Sequence, residues 1–122
     1  MSSNQQLLGG NNMKAGKCIF LSVIVPAYNE EKVIAKTIKS LISSGYDNME
    51  IIVIDDGSTD NTYKAAKAAQ AKLRNVRVLK KMNGGKASAS NFGILKAKGE
   101  IIIAVDADTI VLHGAIPKMV RH

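Results

Sequence analysis

Two pairs of acidic residues are the strongest candidates for chemistry in this chain. Asp106 and Asp108 flank a single alanine after the apolar run 101–105, and the adjacent pair Asp55 and Asp56 follows a similar run. Burying unpaired carboxylates is costly, so two acidic clusters at one edge of a fold suggest a cation, a sugar hydroxyl or a nucleobase edge as the partner. Together the pairs predict a site for a metal ion and a nucleotide.

The spacing of Asp106 and Asp108 lets both carboxylates reach one ligand if a strand gives way to a loop there. Mg²⁺ and Mn²⁺ prefer oxygen ligands, and Mg²⁺ is typically held by one or two carboxylates plus substrate phosphates. Asp-x-Asp is also a common tripeptide, and the alternative is a capped turn with solvated carboxylates. The position after an apolar run, typical of a strand buried on both faces, favours Mg²⁺ or Mn²⁺.

Two other turns also allow two interpretations. Asp55 and Asp56 either belong to a turn in which Asp60 or Asn61 caps the next helix, or accept hydrogen bonds from a base N–H or ribose hydroxyls. The glycine pair before Lys86 is either a helix entry or a turn whose backbone N–H groups approach a phosphate, with the lysine supplying charge. Walker spacing is absent from this turn.

The elements that position these residues alternate along the chain. Apolar runs predict strands at 19–25, 51–54, 76–79 and 101–105. Helical spacing predicts helices at 30–45, 63–73 and 87–98. Asn29 can cap the first helix, whose apolar face is Val33, Ile34, Ile38, Leu41 and Ile42. Alternating strands and helices indicate an α/β fold with a parallel sheet and right-handed crossovers, which brings both acidic clusters to one edge.

Composition limits the class of protein. The chain has 122 residues, 46% of them hydrophobic, which allows one domain. We expect a flexible leader at 1–17 and a domain at 18–122. Cys18 is the single cysteine, which excludes an internal disulfide and fits a reducing compartment. The apolar runs are far shorter than the roughly 18 residues of a membrane span, so a soluble chain is expected.

The net charge of +7 is unevenly distributed, because residues 61–99 contain ten lysines and arginines and no acid. Such an imbalance can mark contact with nucleic acid or an anionic membrane. However, the lysines of 64–72 lie among alanines, as on a solvated helix face, and an aromatic content of 4% offers few surfaces for base stacking. We therefore expect no nucleic-acid partner.

Four motifs in order resemble those of family 2 glycosyltransferases of the GT-A fold. They are Val-Ile-Val-Pro-Ala-Tyr-Asn-Glu-Glu at 23–31, Val-Ile-Asp-Asp-Gly-Ser-Thr-Asp at 53–60, Asn-Gly-Gly-Lys-Ala at 83–87 and Asp-Ala-Asp at 106–108. The stretch around the third motif most resembles processive β-glycan synthases of the hyaluronan, chitin and poly-N-acetylglucosamine kind. The resemblance implies a partial GT-A fold, with a Rossmann-like parallel sheet of about four strands.

The resemblance also implies a site. Its nucleotide-sugar-binding residues would be Pro26, Ala27, Tyr28, Glu30, Asp56, Lys86 and Asp106, and its metal ligands Asp108 and Asp106. Asp56 would bind the uracil edge, Lys86 would lie near the diphosphate, and Asp108 would bind a Mg²⁺ or Mn²⁺ ion that bridges the diphosphate. The implied reaction is inverting transfer of a sugar from a UDP-sugar donor to the hydroxyl of a saccharide or lipid-linked acceptor.

This transfer needs a general base, which in the resembling family is a carboxylate well downstream of the Asp-x-Asp motif. No acidic residue follows Asp108 here, so we expect the base beyond residue 122 and this chain alone to be inactive. The expected parent protein is cytoplasmic or at the cytoplasmic face of a membrane, which it would contact only through other parts. A sheet edge left uncovered predicts non-native self-association.

Two alternatives belong to other functional classes. A phospho-receiver domain is also an α/β fold with an acidic pair, a further Asp and a functional Lys. Receivers place the acidic pair after the first strand, whereas here it follows the second, which disfavours this alternative. A non-catalytic nucleotide-binding module is the other alternative.

Overall fold

The computed structural model describes residues 19–73 and 75–120, where four strands alternate with four helices. The predictions for the leader 1–17 and for Cys18 lie outside this part of the chain. In order, the elements are β1 (Leu21–Ala27), α1 (Ile34–Ile42), β2 (Met49–Asp56), α2 (Thr62–Gln70), β3 (Val76–Lys81), α3 (Lys86–Lys96), β4 (Ile101–Ala104) and α4 (Ala115–Val120).

The four strands form one parallel sheet in the order β3-β2-β1-β4. The fold class predicted from the sequence, an α/β Rossmann-like sheet with crossover helices, is confirmed. The first two crossovers step outward from β1 to β2 and β3, and the third returns past β1 to β4. The strand order therefore reverses between β1 and β4, and open α/β sheets bind ligands in the crevice outside the carboxyl ends at such a point.

Helices cover both faces of the sheet. Apolar residues of α1 and α2, such as Ile34 and Ala66, pack with one face, and Ala89 of α3 packs with the other. Gly93 lets α3 approach the sheet closely, because a Cβ atom there would lie 2.5 Å from Cγ2 of Ile24. The reversal of α3 to the opposite face is what right-handed crossovers in opposite directions require.

Central and edge strands differ in burial. Every residue of β1 and β2 is buried, as the apolar runs predicted. Asp55 and Asp56 are the last two residues of β2 and do not lie beyond its end. The prediction of a strand buried on both faces is wrong for β4, where partly buried and exposed residues alternate and Ile102 is 40% exposed. Ile102 and Ala104 lie on the exposed face of this edge strand.

The start of α1 also differs from the prediction. The helix begins at Ile34 and has no side-chain cap, and the residues before it form a turn in which the Ile34 amide donates to the Glu30 carbonyl (2.9 Å). Asn29 does not cap this helix. Its φ is +54°, and its side-chain oxygen accepts hydrogen bonds from the amides of Thr59 (2.9 Å) and Asp60 (3.3 Å) in the next loop. The residue predicted to be a cap instead connects two loops through its contacts with Thr59 and Asp60, and we call this contact the Asn29 clamp.

The remaining bounds differ by a few residues. The helix α2 ends at Gln70 and α3 at Lys96, both earlier than the sequence pattern indicated, and α4 was not predicted. In the described part of the chain, residues 19–73 and 75–120, no helix has the length and apolar character needed to cross a bilayer.

A buried polar network fixes the approach to β4 at the amino end of the sheet. The Glu50 carboxylate accepts hydrogen bonds from the Ser22 hydroxyl (2.6 Å), the Lys98 amide (2.7 Å) and the Arg77 guanidinium (3.2 Å). Burial raises the pKa of Glu50, but these hydrogen bonds and the Arg77 charge outweigh burial and hold the pKa below its ordinary value. The network joins strands β1, β2 and β3 to the loop before β4.

Candidate functional site

A cavity of about 280 Å³ lies at the carboxyl ends of the strands, where the strand order reverses. The eight residues that the sequence analysis assigned to nucleotide-sugar or metal binding all line it. The full lining is Pro26, Ala27, Tyr28, Glu30, Asp56, Lys86, Ala89, Asp106, Ala107 and Asp108. These residues come from three separate strand–helix units and from the start of α3, so the topology alone brings them together. The role of each remains a prediction.

The two acidic side chains at the end of β2 point to opposite faces of the sheet. Successive side chains of a strand point to opposite faces, so Asp55 has the parity of Val53 and Asp56 that of Ile54. Asp56 lines the cavity. Asp55 is 2% exposed and does not line the cavity, and its Oδ1 has no hydrogen-bond partner within the part of the chain that the structure describes. The pair seen in the sequence is therefore not a pair in the site.

Asp56 is held by a dense set of donors. Its Oδ1 accepts hydrogen bonds from Lys81 Nζ (2.8 Å) and the Gly84 amide (3.0 Å), and its Oδ2 accepts one from the Gly85 amide (2.8 Å). Burial raises the pKa of Asp56, but these donors together outweigh burial and lower it, so the carboxylate is charged at neutral pH. A carboxylate oxygen has two acceptor positions, which leaves one on Oδ2 for a ligand.

Of the two interpretations of the glycine turn, the structure shows the helix entry and not a turn whose amides face a phosphate. The amides of Gly84 and Gly85 donate to a carboxylate of the protein itself. Gly85 adopts φ +97°, a conformation that favours glycine, and α3 begins with the next residue, Lys86. The turn thus fixes the start of α3 and places Lys86 at the cavity.

Asp106 and Asp108 lie in a tight turn after β4. The Thr109 amide donates to the Asp106 carbonyl (3.0 Å), and the Val105 amide donates to Ile24 of β1 (2.9 Å). The Asp106 side chain is 55% exposed and forms an ion pair with Lys86, itself 67% exposed. Exposed ion pairs contribute at most about 1 kcal/mol, so a phosphate or a metal ion could replace either partner.

These residues suit a divalent cation that shares its coordination with a ligand. Over residues 19–73 and 75–120, no cluster of three or more His, Cys, Asp or Glu side chains could hold a metal by itself. Asp106 and Asp108 supply two carboxylates, and Mg²⁺ typically takes one or two together with phosphate oxygens. The lining contains four carboxylates and one lysine, so an anionic ligand needs a cation to offset the repulsion.

The loops after β1 and β2 form one hydrogen-bonded unit beside the cavity. Besides the Asn29 clamp, the Asn29 amide donates to the Ser58 hydroxyl (2.9 Å) and the Glu30 amide to the Thr62 hydroxyl (2.7 Å). Tyr28 sits at the tip of this unit and is 48% exposed. An exposed ring on a fixed backbone is suited to stacking on a nucleobase.

Sequence analysis missed two residues that support the site. Lys81 ends β3 beside Asp56, and its only sequence signal was a lysine at the end of a strand pattern. Thr37 lies inside the apolar face of α1, is fully buried, and donates a hydrogen bond to the Ala107 carbonyl (2.5 Å). A single hydroxyl among apolar helix positions was the signal that could have identified it.

Known proteins resemble this chain in sequence and in fold. The family described as "Glycosyl transferase family 2" matches residues 22–122. The chain is 44% identical over 97 residues to "Glycosyltransferase GlyG" of Streptococcus pneumoniae, which covers 79% of this chain and 32% of that protein.

Two solved structures are similar in fold and sequence. S. aureus TarS in complex with UDP-GlcNAc aligns with a TM-score of 0.76 and 32% identity, over 84% of this chain and 30% of that one. The mannosyltransferase PcManGT of Pyrobaculum calidifontis, in complex with GDP-Man and Mn²⁺, aligns with a TM-score of 0.68 and 32% identity, over 72% of this chain and 27% of that one. The chain thus spans about a third of the length of these relatives.

Proposed function

Because this chain belongs to glycosyl transferase family 2, we propose that it binds the UDP-sugar donor and the divalent cation of an inverting sugar transfer. The transfer itself, to an acceptor hydroxyl, is a property that we propose for a longer protein of which this chain supplies the donor site. Related structures were determined with UDP-GlcNAc and with GDP-Man and Mn²⁺, which supports a nucleotide-sugar and a metal as ligands.

The observation that carries the proposal is the single cavity that Asp56, Lys86 and Asp108 share at the reversal of strand order. In this proposal Tyr28 stacks on the uracil ring, and the free acceptor position on Asp56 receives the base N–H. A charged carboxylate suits this task, because it accepts from N–H groups and repels acceptor atoms. The donor would therefore lie across the cavity, with its base on the side of Tyr28 and Asp56 and its diphosphate on the side of Lys86 and Asp108.

The diphosphate side depends on charge. Lys86 would exchange its exposed partner Asp106 for a phosphate oxygen, which frees Asp106 for a ribose or sugar hydroxyl or for the metal. Asp108 and Asp106 would hold Mg²⁺ or Mn²⁺, which when bound neutralises the charge that develops on the leaving UDP. The acceptor hydroxyl attacks the anomeric carbon from the face opposite UDP, which inverts it. We propose that the general base lies outside residues 1–122, so the chain alone is expected not to transfer sugar.

The comparisons favour this function over the two alternatives. The match to a transferase family over residues 22–122 leaves no reason to prefer a phospho-receiver. The site also argues against a receiver, because Asp55 lies outside the cavity and the acidic pair cannot act together there. A non-catalytic module would bind nucleotide equally well, but none of the related proteins described above is named as one.

Calorimetric titration of UDP, with Mn²⁺ and with EDTA, tests the proposal on the 122-residue chain. We expect Mn²⁺ to raise the UDP affinity at least about tenfold, which corresponds to about 1.4 kcal/mol. In Asp108→Asn, which keeps the shape of the side chain and removes its charge, Mn²⁺ should have no effect.

Asp47→Asn is the matched control, because Asp47 is exposed and lies outside the cavity. It should keep the full Mn²⁺ effect. Equal UDP affinity with and without Mn²⁺ in the unmodified chain would contradict the proposed metal site, and absence of UDP binding would contradict the proposed donor site.

A further inference from the structure

The segment that carries Asp106 and Asp108 is attached along one side of α1. Its hydrogen-bond contacts come from four positions: Thr37 Oγ1 donates to the Ala107 carbonyl (2.5 Å), Ser40 Oγ accepts from the Val111 amide (3.0 Å), the Ser43 carbonyl lies 3.0 Å from Nδ1 of His113, and the Ser44 carbonyl accepts from the Gly114 amide (2.7 Å). Residues 37, 40 and 44 are spaced by three and four, so they lie on one side of the helix and its C-terminal extension. The segment 107–114 therefore follows α1 in register.

Only the first of these contacts reaches the turn at the cavity. Thr37 is fully buried, and a helical threonine usually donates back to the carbonyl four residues earlier. That carbonyl, on Val33, is 3.3 Å from Oγ1, whereas the Ala107 carbonyl is 2.5 Å away. A hydroxyl has one proton, and the shorter contact receives it. Of its two contacts, the hydroxyl therefore makes the shorter one across the structure, to the turn, and the longer one within its own helix.

Ala107 separates the two acids, and its burial determines where they face. Its side chain is 5% exposed and belongs to the core beneath α1 and α2, while Asp106 and Asp108 on either side are exposed. With the carbonyl of Ala107 held by Thr37, this residue cannot rotate outward. The two carboxylates then remain on the cavity side of the turn.

We infer that Thr37 is a positioning residue whose hydroxyl, through the Ala107 carbonyl, keeps the Asp106 and Asp108 carboxylates aimed together into the cavity. The inference rests on the proposed function for its metal consequence. Its structural part, that a hydroxyl on α1 orders the turn, does not depend on a ligand. Misplacing ligands by a fraction of an ångström weakens a metal site, because the coordination geometry of Mg²⁺ and Mn²⁺ tolerates little distortion.

Hydrogen exchange on the ligand-free chain tests whether the Thr37 hydroxyl orders the turn. Thr37→Val removes the donor and keeps the side-chain shape, and Thr37→Ser keeps the donor. We expect peptides covering 105–111 to exchange at least about fivefold faster in Thr37→Val, with peptides covering 21–27 unchanged and with Thr37→Ser close to the unmodified chain. Unchanged exchange at 105–111 in Thr37→Val would overturn the inference, whatever the metal result.

UDP affinity and the electron paramagnetic resonance of bound Mn²⁺ test the consequence at the site. In Thr37→Val the Mn²⁺-dependent gain in UDP affinity should fall about tenfold, while UDP affinity in EDTA stays within about twofold. Thr37→Ser should restore the gain and the unmodified Mn²⁺ spectrum. A Thr37→Val chain that keeps the full gain would overturn the inference, and so would equal losses with and without Mn²⁺, since a general loss of structure predicts those.

Ile38→Val controls for stability. Ile38 is the next residue of α1, is fully buried, and touches the core without a hydrogen bond to the turn. This substitution should lower the unfolding midpoint and leave both the exchange at 105–111 and the Mn²⁺ gain unchanged. If the unmodified chain shows no Mn²⁺ gain, the proposed metal site is wrong, and hydrogen exchange still decides the role of Thr37.

Discussion

The two acidic regions of the cavity look alike in sequence and differ in structure. Asp56 ends a central strand, is 3% exposed and accepts three hydrogen bonds from the protein. Asp106 and Asp108 follow an edge strand and are exposed. Of the two side chains, that of Asp106 forms an ion pair, with Lys86. An apolar run followed by two acids thus gives a rigid carboxylate in one position and two accessible carboxylates in the other.

The position of the strand in the sheet explains the difference. A central strand has neighbours on both sides, and β3 and the turn before α3 supply donors to Asp56. Among the described residues the edge strand β4 has one neighbouring strand, and the carboxylates in the turn after it are exposed, with Lys86 as the partner of Asp106. In the proposed function, the rigid region recognises the base at a fixed place and the open region binds a cation from solvent.

The largest expected difference between the two regions is in stability. Asp56→Asn leaves Lys81 without its charged partner and sets an amide N–H₂ against backbone N–H donors, so it should lower the free energy of unfolding by about 2 to 3 kcal/mol. Urea unfolding followed by circular dichroism measures this change.

Asp106→Asn is the matched control, because it removes only an exposed ion pair. It should change the free energy of unfolding by less than about 0.5 kcal/mol. Equal effects of the two substitutions would show that the contrast between the regions is not energetic.

Acid should remove the stabilising contributions of two buried carboxylates, Asp56 in the rigid region and Glu50 at the amino end of the sheet. Asp56 and Glu50 have lowered pKa values in the folded state, so the unfolded chain binds more protons at low pH and stability rises with pH. The contribution is fully present above the ordinary carboxylate pKa of about 4 and is lost as the pH falls through the folded values. Unfolding free energies from pH 7 to pH 2.5 should fall less steeply in Asp56→Asn and in Glu50→Gln, and parallel curves would argue against both assignments.

Lys86 joins the two regions, and its removal should affect binding more than folding. Lys86→Gln loses a charge near the proposed diphosphate, so UDP affinity in Mn²⁺ should fall about tenfold. Unfolding should change by less than about 0.5 kcal/mol, because the Asp106 partner is exposed. Lys64→Gln, on the exposed face of α2, is the control and should leave UDP affinity unchanged.

The smallest expected effect concerns the uncovered edge beside the open region. An exposed edge strand with an apolar side chain pairs with other chains, and charge on it opposes this. At high concentration the chain should self-associate, and Ile102→Lys should weaken the association about threefold in sedimentation equilibrium. A monomer at every concentration tested would contradict the prediction.

Much of the fold followed from the sequence because it depends on local patterns. Apolar runs and helical spacing identified the four strands and α1 to α3, and the topology then brought eight predicted residues to one cavity. Strand bounds shifted because Asp55 and Asp56 continue the ladder of β2, which a rule based on apolar residues excludes. The short helix α4 carries proline and lacked a recognisable pattern.

The errors at the site arose from contacts between distant segments. Asn29 has the residue type of a helix cap, but its φ of +54° and its bonds to residues 59 and 60 depend on the packing of two loops. The sequence left open whether the amides of the glycine turn face a phosphate or belong to a helix entry, and the structure has them donating to a buried carboxylate of β2 just before α3 begins. Neither partner can be identified from spacing along one chain.

The clamp at Asn29 also limits how this family member can change. Because one amide oxygen holds the backbone of the neighbouring loop, a residue inserted into either loop would displace both and carry Tyr28 with them. Substitution of side chains, at constant loop length, is therefore the route by which the wall that carries Tyr28 can acquire a new preference. The opposite wall is limited in a similar way, because residues 107–114 follow α1 in register and an insertion just after Asp108 would shift these contacts.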